Sequence, residues 1–318
     1  MGNPYNQLTQ VERYQIKALS ELGYSARKIA RQLGRSNATI SRELKQSSSH
    51  VYHAGKAHDA ACQRRQYAAK ANKRSDELIQ ETKRLLKKNM TPEQIAGRMK
   101  LETPSASVSL QTLYRIVVQE GWQNLLPRKG KRYQKRQGNE AGARLIPNRV
   151  DIDERPPSVD LKKEIGHWEA DTVYGQDSYL VTLTERVSKL LLTVRVKNKT
   201  KKLVGRAIKK MLKPYREMCK TITFDNGGEF AGHEDIAKAL DCKTYFAKPY
   251  CSWQRGLNEN TNGLLRRFFP KGMRIGSLSK KVIAAAQLSI NMRPRKTLNY
   301  LSPLEFLSGK RVSVIVGI

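Results

Sequence analysis

Apolar positions recur every three or four residues through most of the first 120 residues, then alternate or run together between 165 and 247. The first texture predicts helices and the second predicts strands. Residues 9–22 open with Thr9-Gln-Val-Glu12, a capping-box pattern, and put Val11, Tyr14, Ala18, Leu19 and Leu22 on one helical face. Gly23 closes that helix. Ser25 can cap a second, short helix through Leu33, with Ile29, Ala30 and Leu33 inward and Gly34 at its end. Ser36 caps a third, Asn37 to Lys45, that buries Ile40 and Leu44. Helix, short helix, glycine turn and polar helix are the parts of a helix-turn-helix. On the third helix Asn37, Thr39, Ser41, Arg42 and Lys45 would face outward, all able to bond bases or phosphates. The competing reading is a plain three-helix bundle with a solvated face.

Residues 46–75 are polar and basic and predict a charged helix between modules rather than a core element. A second three-helix pattern follows. Ser75 opens a helix carrying Leu78, Ile79, Leu85 and Leu86, and Thr91-Pro92-Glu93-Gln94 starts another that buries Ile95, Ala96 and Met99. Ser109 then caps Leu110 to Gln119, with Leu113, Ile116 and Val117 inward and Gln111, Thr112 and Arg115 outward. Residues 100–108 make an unusually long turn, so this is either a second DNA module or a structural or dimerising bundle. The stretch 127–158, with the basic run Pro127-Arg-Lys-Gly-Lys-Arg and later prolines, reads as a linker that can track a phosphate backbone.

From 165 the texture is that of strands: Ile165–Val173, Tyr179–Thr184, Leu190–Val196, Thr221–Phe224 and Lys243–Ala247. Helical stretches at Thr200–Leu212, His233–Leu240 and about Gln254–Phe269 separate or follow them. Three strands with tight connections, then helix and strand in alternation, predict a mixed sheet flanked by helices. The fold class expected is therefore multi-domain α+β. All-α helix-turn-helix modules lead and a mixed α/β core follows, with boundaries at 1–48, 49–74, 75–126, 127–158, 159–275 and 276–318.

Charge changes the picture from architecture to partner. Sixty Lys and Arg stand against 28 Asp and Glu, a formal net charge of +32, and both halves of the chain are basic. Such an excess points to a polyanion, with DNA and RNA equally served by charge alone. No run of 18 apolar residues occurs and Met1-Gly2-Asn3-Pro4 opens no signal pattern, so a soluble, cytoplasmic protein is expected. Four irregularly spaced cysteines suit reduced thiols. His50, His53, His58 and Cys62 match no common zinc-finger spacing.

Three acids stand out within this basic chain. Asp171 lies in His167-Trp-Glu-Ala-Asp171, and Asp225 ends the apolar run Thr-Ile-Thr-Phe before Asn226-Gly227-Gly228. Glu259 sits on a helix face with Asn262, Gly263 and Arg266, while Leu257, Thr261, Leu264, Leu265 and Phe268 make the buried side. Carboxylates held together repel, and a hard divalent cation offsets that repulsion. Glu169, Glu185, Glu229 and Asp241 compete for the same role on spacing alone.

These motifs, with Pro249-Tyr-Cys-Ser-Trp-Gln-Arg-Gly-Leu-Asn-Glu259-Asn-Thr-Asn-Gly-Leu-Leu-Arg266, resemble the DDE transposases of bacterial insertion sequences. The family numbered thirty is the nearest, with the retroviral integrases close to it. The resemblance covers nearly the whole chain. It implies an RNase H-like core and Asp171, Asp225 and Glu259 as catalytic, metal-binding residues. It further implies Mg2+ or Mn2+, two ions about 4 Å apart, with Asp171 on both and the other acids on one each. Arg266 would hold the DNA backbone beside the scissile bond. The expected function is binding of double-stranded terminal inverted repeats, end cleavage and strand transfer into target DNA, by a dimer or larger assembly associated with the nucleoid. The competing classes are a helix-turn-helix regulator with an inactive core and a repair or junction nuclease.

Overall fold

The structure, a computed structural model, describes residues 7–45, 51–67, 74–127, 146–248, 251, 254 and 256–315. The chain forms two compact units, Met1–Lys73 and Arg74–Ile318.

The first unit holds α1 (Gln10–Glu21), α2 (Ala26–Gln32), α3 (Asn37–Lys45) and α4 (Ala54–Tyr67). The Thr9–Glu12 capping box forms, Ser25 caps α2, and Gly23 and Gly34 take the left-handed conformation that ends a helix. Ile16, Ile29, Ala30 and Ile40 make the core with Leu8. The buried face of α1 differs from the apolar stripe seen in the sequence, because Val11, Tyr14 and Leu22 are more than half exposed. A buried ion pair accounts for the rotation. Arg13 of α1 bonds Glu43 of α3 at 2.6 Å, and the Tyr52 hydroxyl donates to the same carboxylate at 3.0 Å. The segment expected to be a connector also differs. Tyr52 and Ala54 are buried in this core, and α4 packs on α1. Residues 46–50 and 68–73 of that segment lie outside the described residues.

The second unit begins with α5 (Asp76–Lys87), α6 (Pro92–Glu102) and α7 (Leu110–Gln119), started by Ser75, a Thr91–Gln94 capping box and Ser109. The sheet follows as β1 (His167–Tyr174), β2 (Tyr179–Glu185), β3 (Leu191–Val196), β4 (Thr221–Phe224) and β5 (Lys243–Phe246), in the order β3-β2-β1-β4-β5. The first three strands form the antiparallel meander, and β4 and β5 join β1 in parallel. All four residues of β4 are buried, as suits a parallel strand covered on both faces. α8 (Lys201–Leu212) and α9 (His233–Leu240) cover the face bearing Trp168, Ala170, Val181 and Phe224. α10 (Gly256–Phe268) and α11 (Lys280–Asn291) cover the other, on Val173, Leu180 and Leu191. A short α12 (Pro303–Ser308) follows.

Residues 146–158 fall within the stretch expected to be a linker, and here the structure differs again. Ile146 and Ile152 are buried, and the Phe246 N–H donates to the Val150 carbonyl at 2.9 Å. The outer edge of β5 offers unpaired backbone groups, and this segment satisfies some of them. Its apolar residues follow no period, so patterning alone does not reveal it. Residues 128–145, with the basic run, lie outside the described residues.

Candidate active site

The register of the parallel pair sets the site. His167 pairs with Thr221, Trp168 with Ile222 and Glu169 with Thr223. Carried two residues further, that register puts Asp225, the residue just past β4, beside Asp171. Strand residues two apart share a face, so Asp171 lies on the same side as Glu169, the side α10 covers.

Each acid is oriented by its neighbours. Asp171 accepts the Thr172 N–H at 2.7 Å on Oδ1 and the Asn262 side-chain amide at 2.9 Å on Oδ2. Asp225 accepts the Gly227 N–H at 2.9 Å, which folds the turn back over its carboxylate. Asn226 fastens that turn, donating to the Ala247 carbonyl at 2.7 Å and accepting from Arg149 at 2.6 Å. A Cβ at position 227 would stand 2.5 Å from Glu229 Oε2 and 2.9 Å from Asp225 Oδ1, so any side chain there would have to push a carboxylate aside.

The helix α10 is seated by a polar stripe, Asn258, Asn262 and Arg266, spaced four residues apart. The Asn258 N–H donates to Glu169 Oε2 at 3.2 Å, Asn262 bonds Asp171, and Arg266 donates to the Tyr174 carbonyl at 2.7 Å. Four helical residues advance about 6 Å and two strand residues about 6.7 Å, so the helix keeps pace with β1 from Glu169 to Asp171, and the longer Arg266 side chain reaches three residues further to Tyr174. Glu259, on α10 between Asn258 and Asn262, is exposed. Among the described residues, no group of three or more His, Cys, Asp or Glu side chains is arranged to hold a metal ion. The donor chemistry is all carboxylate oxygen, which fits hard divalent ions such as Mg2+ or Mn2+ and not soft ones.

The competing acids separate by environment. Glu185 is consumed by the Val187 and Ser188 N–H groups and the Ser188 hydroxyl, at 2.6–2.9 Å. Asp241 ends α9 in the left-handed conformation. Glu169 is buried against Arg186 at 2.7 Å and bonds the start of α10. Glu229 stays beside Asp225, accepting the Thr172 hydroxyl at 2.9 Å with Lys199 Nζ 3.8 Å away. Spacing cannot rank Glu169 and Glu229, because the partners that distinguish them come from other elements, whereas Glu185 is taken up by its own turn.

Asn37, Arg42 and Lys45 are exposed on α3, and Thr39 and Ser41 are half-buried. The Thr39 hydroxyl lies 2.8 Å from that of Ser36, and the Thr112 hydroxyl 3.0 Å from that of Ser109, so both threonines also serve their helix starts. Gln111 and Arg115 are exposed on α7. Arg266 is half-buried and engaged with the backbone of β1. In α4, Cys62 Sγ lies 3.5 Å from His58 Nε2, and His50 lies outside the described residues.

Comparison with known proteins agrees with this architecture. A helix-turn-helix domain family matches residues 5–47, and an integrase core domain family matches residues 162–252. The transposase for insertion sequence element IS4351 of Bacteroides fragilis is 37% identical over 308 residues, 94% of each chain. Transposase InsI for insertion sequence element IS30A of Escherichia coli (strain K12) is 33% identical, over 94% of this chain and 83% of its own. The transposase for insertion sequence element IS1086 of Cupriavidus metallidurans is 32% identical, over 96% and 95%. Among solved structures, the catalytic core domain of BIV integrase aligns with 45% of this chain and 95% of its own, at 20% identity and a TM-score of 0.36. With identity at this level along nearly its full length, and a helix-turn-helix preceding an integrase core, the chain belongs to the IS30 family of insertion-sequence transposases.

Proposed function

We propose that this transposase cuts the ends of its element and joins them to target DNA at Asp171, Asp225 and Glu259, with Mg2+ or Mn2+ as cofactor. The observation that carries the proposal is the β1/β4 register, which when extended two residues aligns Asp171 with Asp225, together with the Asn262–Asp171 bond that ties α10, the helix bearing Glu259, to β1. A bound divalent ion would polarise the phosphodiester and favour ionisation of the attacking oxygen. The chain's own residues do the positioning. Asn262 and the Thr172 N–H orient the Asp171 carboxylate, the Gly227 turn orients Asp225, and the polar stripe of α10 seats on β1 the helix that bears Glu259.

Reading of double-stranded inverted repeats falls to α3, through Asn37, Thr39, Ser41, Arg42 and Lys45, and to α7, through Gln111, Thr112 and Arg115. The net charge of +32 supplies attraction to phosphate whatever the sequence. Arg266 approaches the cut strand once it leaves the Tyr174 carbonyl. Two ends must be joined, so a dimer or larger assembly forms on DNA.

The deciding experiment incubates the protein with labelled element ends and Mg2+. Metal-dependent cleavage that disappears in Asp225→Asn, with end binding retained, is the expected result. Specific binding without any metal-dependent cleavage would instead leave a helix-turn-helix regulator with an inactive core.

A further inference from the structure

Residues after α11 do not end beside the sheet. They cross to the helical group α5–α7 and close around α6. Arg98 of α6 is fully buried, and its guanidinium forks onto both oxygens of Glu305 at 2.9 Å. The same side chain donates to the Tyr300 and Val312 carbonyls, at 3.1 and 2.7 Å, and pairs with Glu102. Glu102 in turn accepts the Val314 and Ile315 N–H groups at 2.9 and 2.8 Å. Ile315 is buried in the core of α5–α7. Gly97 sits so close beneath the Tyr300 ring that a Cβ would stand 2.2 Å from it.

A second tie runs from the same helical group to the helix that carries Glu259. The Asn89 carbonyl, in the α5–α6 turn, accepts from Arg267 of α10 at 3.4 Å and from Arg293. Gln94 of α6 donates to the Pro294 carbonyl at 2.7 Å. Such contacts exceed what a flexibly tethered DNA module needs. A buried arginine with this many partners is costly to release, since freeing it strands two carboxylates in a dry site. The group α5–α7 is therefore fastened to residues 294–315 and reaches α10 through Asn89, while the exposed face of α7 carries Gln111 and Arg115.

We propose that the strap of residues 294–315 makes α5–α7 a gauge for the catalytic centre. It holds the duplex read by α7 at one distance from Glu259 and its partners, and so selects which phosphodiester is cut. Arg98 acts here as a positioning residue, remote from the reacting atoms. The inference rests on the reading of α7 and of the acids given above.

The test maps cuts to the nucleotide on a labelled element end with Mg2+, using the full chain. Two variants loosen the strap by different routes: Gly97→Ala displaces the Tyr300 ring, and Arg98→Lys keeps the charge but loses the fork. Loosening is read independently as faster tryptic cleavage at Lys310 and Arg311, which are exposed. The wild type should cut at one position. In both variants the ratio of neighbouring to principal cuts should rise about tenfold, equivalent to about 1.4 kcal/mol of positional preference, while the footprint and end affinity stay. A merely structural role would lower the rate and leave the position alone. A loosened strap with an unchanged single cut therefore overturns the gauge and leaves the assignment of the acids standing. A wild type that binds ends and never cuts overturns that assignment, and the gauge with it.

Discussion

Gly227 shows how much one residue decides at the site. Its missing side chain lets two carboxylates close over the turn, so Gly227→Ala should push Asp225 and Glu229 apart. A displacement of about 1 Å at a catalytic group costs on the order of 100-fold in rate, and cleavage assays should show that loss with end binding unchanged. Asn262 acts one step further out. Asn262→Ala removes the amide from Asp171 Oδ2, and loss of such an outer partner typically lowers metal affinity or activity by about 10–100-fold. Measuring the Mn2+ concentration for half-maximal thermal stabilisation separates affinity from rate. In the first unit, Arg35 beside Glu12 holds that carboxyl down at about 2, with Thr9 assisting and burial opposing. The folded value lies below the ordinary 4.5, so the stabilisation is whole above pH 4.5 and is lost as pH falls toward 2. The Tm difference between wild type and Glu12→Gln should be constant above pH 5 and shrink below it.

Whole elements follow from local chemistry where caps and periods agree. Thr91, Pro92 and Gln94 start α6 as their order requires. Thr91→Ala should cost about 1 kcal/mol, read as a shift in denaturant midpoint at unchanged slope. The apolar core residues of α2, α6 and α7 and Ile40 of α3 were legible too, since each lies on an apolar stripe, while the buried charges Glu43 of α3 and Arg98 of α6 were not. α1 was not, because its inward face includes Arg13, paired with Glu43 across 30 residues of chain. A charged residue buried by a distant partner is invisible to any count of apolar positions. Residues 146–158 escaped for a related reason: they pack as single anchors along a sheet edge, without a period to betray them.

For the molecule as a whole, charge and packing play separate parts. With a net charge of +32, end binding should weaken steeply with salt. Six to ten neutralised phosphates would cost about 10³–10⁵ in affinity between roughly 50 and 200 mM. A nearly flat plot of log K against log salt would show that the basic surface is not the DNA surface. Packing joins the second helical group to the catalytic sheet in one compact unit, where the sequence suggested two domains and a linker between them.

By itself, the sequence determined the order and type of the elements, the helix starts, the basic character and the three acids in their motifs. Those depend on neighbouring residues and on composition, and local physics is enough to read them. Only the tertiary structure decided that β1 and β4 pair in the register that aligns Asp171 with Asp225. It also decided that Glu169 is held by Arg186, and that the chain's last described residues hold α6 rather than the sheet. Each of these outcomes depends on a partner far away in the chain, such as Thr221 for His167 or Glu305 for Arg98. Which distant groups meet is settled by packing whole elements together, and spacing along the chain carries no record of it.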